Sequence, residues 1–201
     1  YDAINRAKDE GRYDLIITTM HIEDMSALNF AKLVRQSGLD IPIVLLAHDN
    51  RELKSLLTNP DSSVFDKVFI WTGDFRIIIG IIKYLEDRLN VEHDSKIVGV
   101  QNVIVIEDSV RYYSAFLPII YTEMLKQSQR LISEGINLTH KYLRMRARPK
   151  ILLCTNYEEA WEYFDKYKEL ILGIISDIEF PRNGVLDESA GIQFAKAVKQ
   201  S

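Results

Sequence analysis

The stretch 169-ELILGIISDIEFPRNG-184 decides the fold. An apolar run over residues 170–175 leads to one acid, Asp177, and Pro181 and an Asn-Gly turn follow it. A continuous Leu/Ile run predicts a strand buried on both faces, as in a parallel sheet. Open α/β sheets place their chemistry at the carboxyl ends of strands, which is the position of Asp177. The stretch therefore predicts an α/β protein with Asp177 as a candidate functional carboxylate.

Length and composition indicate a folded protein with a substantial core. The chain has 201 residues, 47% of them hydrophobic, and a net charge of −4. No apolar run approaches the roughly 20 residues that span a bilayer. Cys154 is the single cysteine, which rules out an intramolecular disulfide and favours a cytoplasmic location. We expect no membrane association, and the acidic balance argues against nucleic acid as a partner.

Strands and helices alternate along the first half of the chain, which predicts a parallel sheet with right-handed crossovers. A polar, charged and non-periodic segment follows, and we interpret residues 93–100 as a linker between a first unit, 1–92, and a second unit, 101–201. The strands predicted in the first half are 13–19, 41–47 and 67–71, and the helices are 26–36, 51–57 and 75–89.

The second half repeats the alternation after a long first crossover, residues 109–149. That crossover ends in a basic run, for which we keep two interpretations: a solvated face, or a docking site for an acidic partner or phosphate. The run consists of Lys141, Arg144, Arg146 and Arg148. The strands predicted here are 103–106, 150–154 and 170–177, and the helices are 110–133, 157–167 and 190–199.

Acidic residues follow two strands of the second half. Glu107 and Asp108 close one strand, and Asp177 closes another. Neighbouring parallel strands end at one edge of a sheet, so these carboxylates can meet there. They would repel one another unless a hard cation lay between them, and Mg²⁺ takes such oxygen ligands. A carboxylate beside such an ion can act as a nucleophile toward a phosphoryl group.

The segments VIVIEDSV (103–110) and IISDIEFPRNG (174–184) resemble the receiver domain of bacterial two-component response regulators. The resemblance implies a flavodoxin-like, doubly wound parallel sheet. It implies that Glu107 and Asp108 are the acid pair and Asp177 the phosphoacceptor, with the family's proline at Pro181. It also implies Mg²⁺, with the backbone carbonyl of Glu179 as a further contact, and a histidine kinase or small phosphodonor as the phosphoryl source.

The first half resembles the same family from its third strand onward, through YDLIITTMHIEDMSA (13–27) and IPIVLLAHD (41–49). Its functional positions are lost: Thr19 stands at the phosphoacceptor position, Leu46 at the hydroxyl position and Trp71 at the lysine position. A threonine carries no charge at neutral pH and cannot hold Mg²⁺ as a carboxylate does. We interpret this half as a pseudo-receiver, so that the chain holds two receiver-type units, each truncated at one end.

The combined layout resembles the amino-terminal region of bacterial phosphoenolpyruvate synthase-like or pyruvate phosphate dikinase-like proteins. The resemblance implies a signal-transduction region that regulates an attached carboxyl-terminal kinase-like domain, and not an enzyme by itself. A phosphotransferase activity would then belong to another part of the parent protein. The alternative is a structural or interaction module, not phosphorylated, that mediates dimerisation or domain docking. A homodimer is among the partner arrangements left open.

Overall fold

The computed structural model describes residues 4–7, 13–23, 25–133 and 148–201. The chain divides into two compact units, Tyr1–Phe75 and Arg76–Ser201. Each unit contains a parallel three-stranded sheet with helices, which confirms the α/β class expected from the sequence. Of the helices in the described part of the chain, none is both long enough and apolar enough to cross a membrane.

The first unit is organised around a central strand, β4, between β1 and β5. All five residues of β4, IVLLA, are buried. Helix α1 begins where Ser26 acts as its N-cap and accepts a hydrogen bond from the amide of Asn29. The elements are β1 (Ile16–Thr19), β2 (His21–Ile22), β3 (Met25–Ser26), α1 (Ala27–Gln36), β4 (Ile43–Ala47), α2 (Asn50–Leu57), a 3₁₀ turn (Pro60–Val64) and β5 (Lys67–Ile70).

The second unit has the strand order β7-β6-β8, with all three strands parallel. The first strand of the unit in chain order therefore lies at the centre of its sheet. The elements are α3 (Arg76–Val98), β6 (Asn102–Ile106), α4 (Val110–Ser133), β7 (Lys150–Cys154), α5 (Tyr157–Tyr167), β8 (Ile171–Ser176), β9 (Phe180–Arg182), β10 (Val185–Asp187) and α6 (Ala190–Gln200).

Alternating residues of the second sheet face two different layers. Ile104 and Ile106 of β6 pack with Phe164 of α5 and Phe194 of α6 in one buried cluster. Val103, on the other face, borders a groove that α4 lines with Ile120 and other side chains. Helices therefore cover both faces of β6, which explains why this strand is nearly continuous in apolar residues.

Strand β8 differs from its prediction. The sequence predicted a strand buried on both faces, but Leu172 and Ile175 are 57% and 56% exposed. The register places Ile175 beside Val105, on the face that α4 covers over β6. Among the described residues β8 pairs only with β6, so it is an edge strand, and a run of Leu and Ile could not reveal this.

Helix α3 also differs from its prediction. It was expected to end at residue 89, before a linker at 93–100, but it continues to Val98. Val91 and Ser95 are buried in this extension, and Lys96 pairs with Glu92 one helical turn away. Residues 93–98 therefore belong to a helix, and the compact units divide after Phe75 instead of at the expected linker.

The basic run near the end of the crossover is described at one residue. Arg148 is half-buried, its side chain is 9% exposed, and its guanidinium forms an ion pair with the buried Asp87 of α3, so neither a solvated face nor a docking role applies to it. Helix α3 also bonds β7 directly, since Asp87 accepts from the Ile151 amide and Asp94 pairs with Lys150. The other three members, Lys141, Arg144 and Arg146, lie outside the described residues.

The Asn-Gly turn connects two short antiparallel strands, β9, which contains Pro181, and β10, in a β-hairpin. Asn183 and Gly184 form its tip with φ of 52° and 76°. An Asn-Gly pair accepts these left-handed angles with little strain, and it matches the twist of the flanking strands. The sequence indicated the turn but not the strands on either side of it.

Candidate functional site

The three predicted acids meet at one edge of the second sheet. Glu107 and Asp108 directly follow β6, and Asp177 directly follows β8. The backbone continues the sheet through these positions, since the Asp177 amide donates to the carbonyl of Ile106 at 3.0 Å. Because the parallel pairing of β6 and β8 continues to their carboxyl ends, Asp177 lies next to Glu107 and Asp108 although they are far apart in sequence.

Each of these acids offers one carboxylate oxygen, and the three oxygens lie within 4.8 Å of one another. Glu107 is only 5% exposed, Asp108 is half-buried and Asp177 is exposed. The acidic cluster, Glu107, Asp108 and Asp177, is thus anchored in the protein on one side and open to solvent on the other. Among the described residues it is the one group of three or more such side chains that could hold a metal ion.

Burial and like charge act together on the cluster. Burial raises the pKa of Glu107, and the nearby Asp177 and Asp108 carboxylates raise it further. The Ser109 amide donates a hydrogen bond to Glu107, which lowers this pKa in part. Burial also raises the pKa of Asp108, again with a contribution from Asp177. The ionised cluster is therefore unfavourable by itself, and a cation among the carboxylates would relieve the repulsion.

The donor set fits a hard divalent cation. It consists of carboxylate oxygens only, and its open side leaves room for water or a phosphoryl oxygen. Mg²⁺ binds in this manner, through one or two carboxylates with waters and a phosphate completing the octahedron. Glu107, Asp108 and Asp177 are the residues that could hold it. The predicted contact through the Glu179 carbonyl stays a prediction; Glu179 itself is exposed.

The carboxylate of Asp177 is oriented by its own backbone. The amide of Ile178 donates to Oδ1 of Asp177 at 2.7 Å. The hydroxyl of Ser176 donates to the backbone carbonyl of Asp177, also at 2.7 Å. Pro181 lies four residues later in β9, paired with Leu186 across the hairpin.

An aromatic wall lies next to the acidic cluster. Tyr112 and Phe116, on the first turns of α4, are stacked with ring centroids 6.1 Å apart. They line a depression of about 330 Å³ together with Glu107, Ile175 and Asp177. Phe116 is 44% exposed, so this face of α4 is only partly covered. Helical spacing shows which residues share a face, not whether another element covers that face.

The corresponding positions of the first unit carry no acid. Thr19 ends β1 and is paired in register with Leu46 of β4, while Trp71 directly follows β5. The amide of Trp71 donates to the carbonyl of Ala47, which places it at the same edge of the sheet. The structure thus assembles the three predicted positions, and their side chains are a hydroxyl, an alkyl group and an indole.

Comparisons of the chain with protein-family models, with curated proteins and with solved structures find no match. The geometry of the acidic cluster and the sequence motifs that form it are therefore the features that indicate a function.

Proposed function

We propose that the second unit is a receiver-type signalling module that accepts a phosphoryl group on Asp177. The observation that carries the proposal is the acidic cluster, with its three oxygens within 4.8 Å at the carboxyl ends of two adjacent parallel strands. The order β7-β6-β8 corresponds to the first three strands of a flavodoxin-like sheet, 2-1-3, which supports the finer fold assignment.

In the proposed reaction a carboxylate oxygen of Asp177 attacks phosphorus and forms a new O–P bond. The bond from phosphorus to the donor's nitrogen or acyl oxygen breaks, and the leaving group takes that electron pair. The donor is a phosphohistidine of a histidine kinase or a small acyl phosphate. Bound Mg²⁺ would neutralise charge on the phosphoryl oxygens. Glu107 and Asp108 would hold it, and the Ile178 amide orients the attacking carboxylate.

The first unit contributes no phosphoacceptor in this proposal, because Thr19 occupies that position. We propose that it serves as a pseudo-receiver with a structural or docking role. Phosphorylation of the second unit would regulate a kinase-like domain, similar to phosphoenolpyruvate synthase or pyruvate phosphate dikinase, attached in the parent protein.

The test treats the protein with Mg²⁺ and acetyl phosphate, or with beryllofluoride. We expect a mass increase of one phosphoryl group with acetyl phosphate, and a Mg²⁺-dependent change in Tyr or Trp fluorescence with beryllofluoride. Asp177→Asn should abolish both. Asp165→Asn, an exposed acid on α5, is the matched control and should respond like the wild type. An unmodified wild-type protein in saturating Mg²⁺ would contradict the proposal.

A second candidate function is an interaction module that is not phosphorylated, and the open edge of β8 favours it. Leu172 and Ile175 expose more than half of their surface there, and they line an apolar groove of about 450 Å³ with Ile120 and Met124. Exposed apolar edges pair readily with other chains. If this edge forms a homodimer, Leu172→Lys with Ile175→Lys should convert the dimer to a monomer in sedimentation velocity.

A further inference from the structure

Gly191 lies where helix α6 meets the loop that carries Asp177. It is the second residue of the helix and is buried. Its amide donates to the carbonyl of Ile178 at 2.9 Å. The start of α6 is thereby bonded to Ile178, the residue that follows the proposed phosphoacceptor.

The approach is so close that only a glycine fits. A Cβ at position 191 would collide with the backbone carbonyl oxygen of Asp177 and would lie 3.0 Å from the Cα of Ile178. These are backbone atoms, which cannot rotate away as the end of a side chain can. Gly191 is not among the residues with positive φ, so the requirement comes from space and not from backbone conformation.

The residue bonded to Gly191, Ile178, also holds the carboxylate of Asp177. The Ile178 carbonyl accepts from Gly191, and the Ile178 amide donates to Oδ1 of Asp177. On the other side of Asp177, its own amide is bonded to the carbonyl of Ile106 in β6. The backbone around Asp177 is thus fixed between the central strand and the first turn of α6.

We propose that Gly191 is a positioning residue for the acidic cluster: its missing side chain lets α6 pack against the Asp177–Ile178 peptide and bond the Ile178 carbonyl, so that the Asp177 carboxylate stays within reach of Glu107 and Asp108. This inference deepens the proposed function and rests on it. Displacing the peptide would separate the carboxylates and weaken cation binding without removing any ligand.

The chain offers a matched control for Gly191→Ala. Gly173 lies in β8, four residues before Asp177, and a Cβ there would meet nothing within 4 Å. Gly173→Ala is the same chemical change in the strand that leads to the site. Phe194→Leu shortens a buried side chain of α6 that packs against Trp161 and Phe164 of α5, and it serves as a second control that lowers stability while leaving Gly191 in place.

The experiment measures Mn²⁺ affinity by calorimetry, and amide exchange of Ile178 without metal, on the whole protein. We expect Gly191→Ala to weaken Mn²⁺ binding by roughly tenfold to 100-fold, as for other residues that orient metal ligands. The Ile178 amide should exchange faster in this variant. Gly173→Ala should bind Mn²⁺ like the wild type. Phe194→Leu should lower the Tm and leave Mn²⁺ affinity unchanged, which separates positioning from general stability.

Wild-type affinity in a folded Gly191→Ala variant would overturn the inference. If that variant does not fold, the wild type decides. Mg²⁺ should then slow exchange of the Gly191 amide more than that of Ala197 in the same helix, and equal slowing would refute the coupling. If the wild type binds no Mn²⁺, the proposed function has failed. In that case, faster amide exchange at Ile178 in Gly191→Ala than in Gly173→Ala would still support the positioning role, and equal rates would refute it.

Discussion

Asp87 and Arg148 form a bidentate ion pair in the second unit, with contacts of 2.6 Å from Nη2 to Oδ1 and 3.0 Å from Nη1 to Oδ2. The Asp87 side chain is fully buried. It also accepts hydrogen bonds from the Tyr121 hydroxyl and the Ile151 amide. One carboxylate on α3 therefore connects α4, the end of the crossover and β7.

Removing either member of this pair should destabilise the second unit strongly. Arg148→Met leaves the Asp87 carboxylate buried without its main counter-charge, and loss of one partner of a buried pair typically costs about 3–5 kcal/mol. We expect a loss of this size in urea unfolding monitored by Tyr and Trp fluorescence. Lys126→Met, which removes an exposed pair with Glu123, is the control and should cost less than about 1 kcal/mol. Equal effects of the two substitutions would contradict the assignment.

The pH dependence of stability should report the acidic cluster. The pKa values of Glu107 and Asp108 are raised in the folded protein. The folded state then binds their protons more tightly than the unfolded state, so the free energy of unfolding falls as pH rises. The fall begins at the ordinary pKa values of about 4 and is complete above the raised ones.

Glu107→Gln should remove part of this dependence while keeping an acceptor for the Ser109 amide. Without metal, the variant should gain stability relative to the wild type as pH increases above about 4.3, the ordinary glutamate pKa. Urea unfolding at several pH values measures the difference in the free energy of unfolding between the variant and the wild type. The other carboxyl groups are present in both proteins, so their contributions cancel. Parallel pH profiles would show that the cluster is not strained by charge.

Mg²⁺ should raise the Tm of the wild-type protein, because a ligand that binds only the folded state stabilises it by about 2.7 kcal/mol at 100 times its Kd. Asp177→Asn should lose most of this response, and its metal-free Tm should be higher than that of the wild type because one like charge is removed. Differential scanning calorimetry at constant ionic strength checks both. A response to NaCl equal to that to MgCl₂ would rule out a specific site.

Thr19→Asp should not create a second metal site in the first unit. Leu46 and Trp71, at the same sheet edge, offer no carboxylate to share a cation with the new acid. We expect calorimetry to give the wild-type stoichiometry of bound Mn²⁺ for this variant. An additional bound ion would contradict the interpretation of this unit as a degenerate receiver.

Local sequence patterns predicted several elements closely. The strand at 150–154 and the helices at 110–133 and 157–167 match the structure at both ends. Apolar periodicity within a segment is a local signal, and the structure adds a local cap at Asn156, whose side chain accepts from the Glu159 amide. The extension of α3 was missed because polar residues dominate its last turns. The few buried positions there become visible only when α3 packs in the second unit.

The sequence by itself determined the α/β class and the identity of the candidate site, because Glu107, Asp108 and Asp177 each follow an apolar strand. Only the tertiary structure decided that β8 is an edge strand, that Asp87 meets Arg148 across 61 positions, and that Gly191 contacts the Asp177 backbone. The physical reason is that burial, ion pairing and close backbone approach depend on which distant segments become neighbours. The residues of a strand favour its extended conformation, but the tertiary fold determines which segments lie beside it.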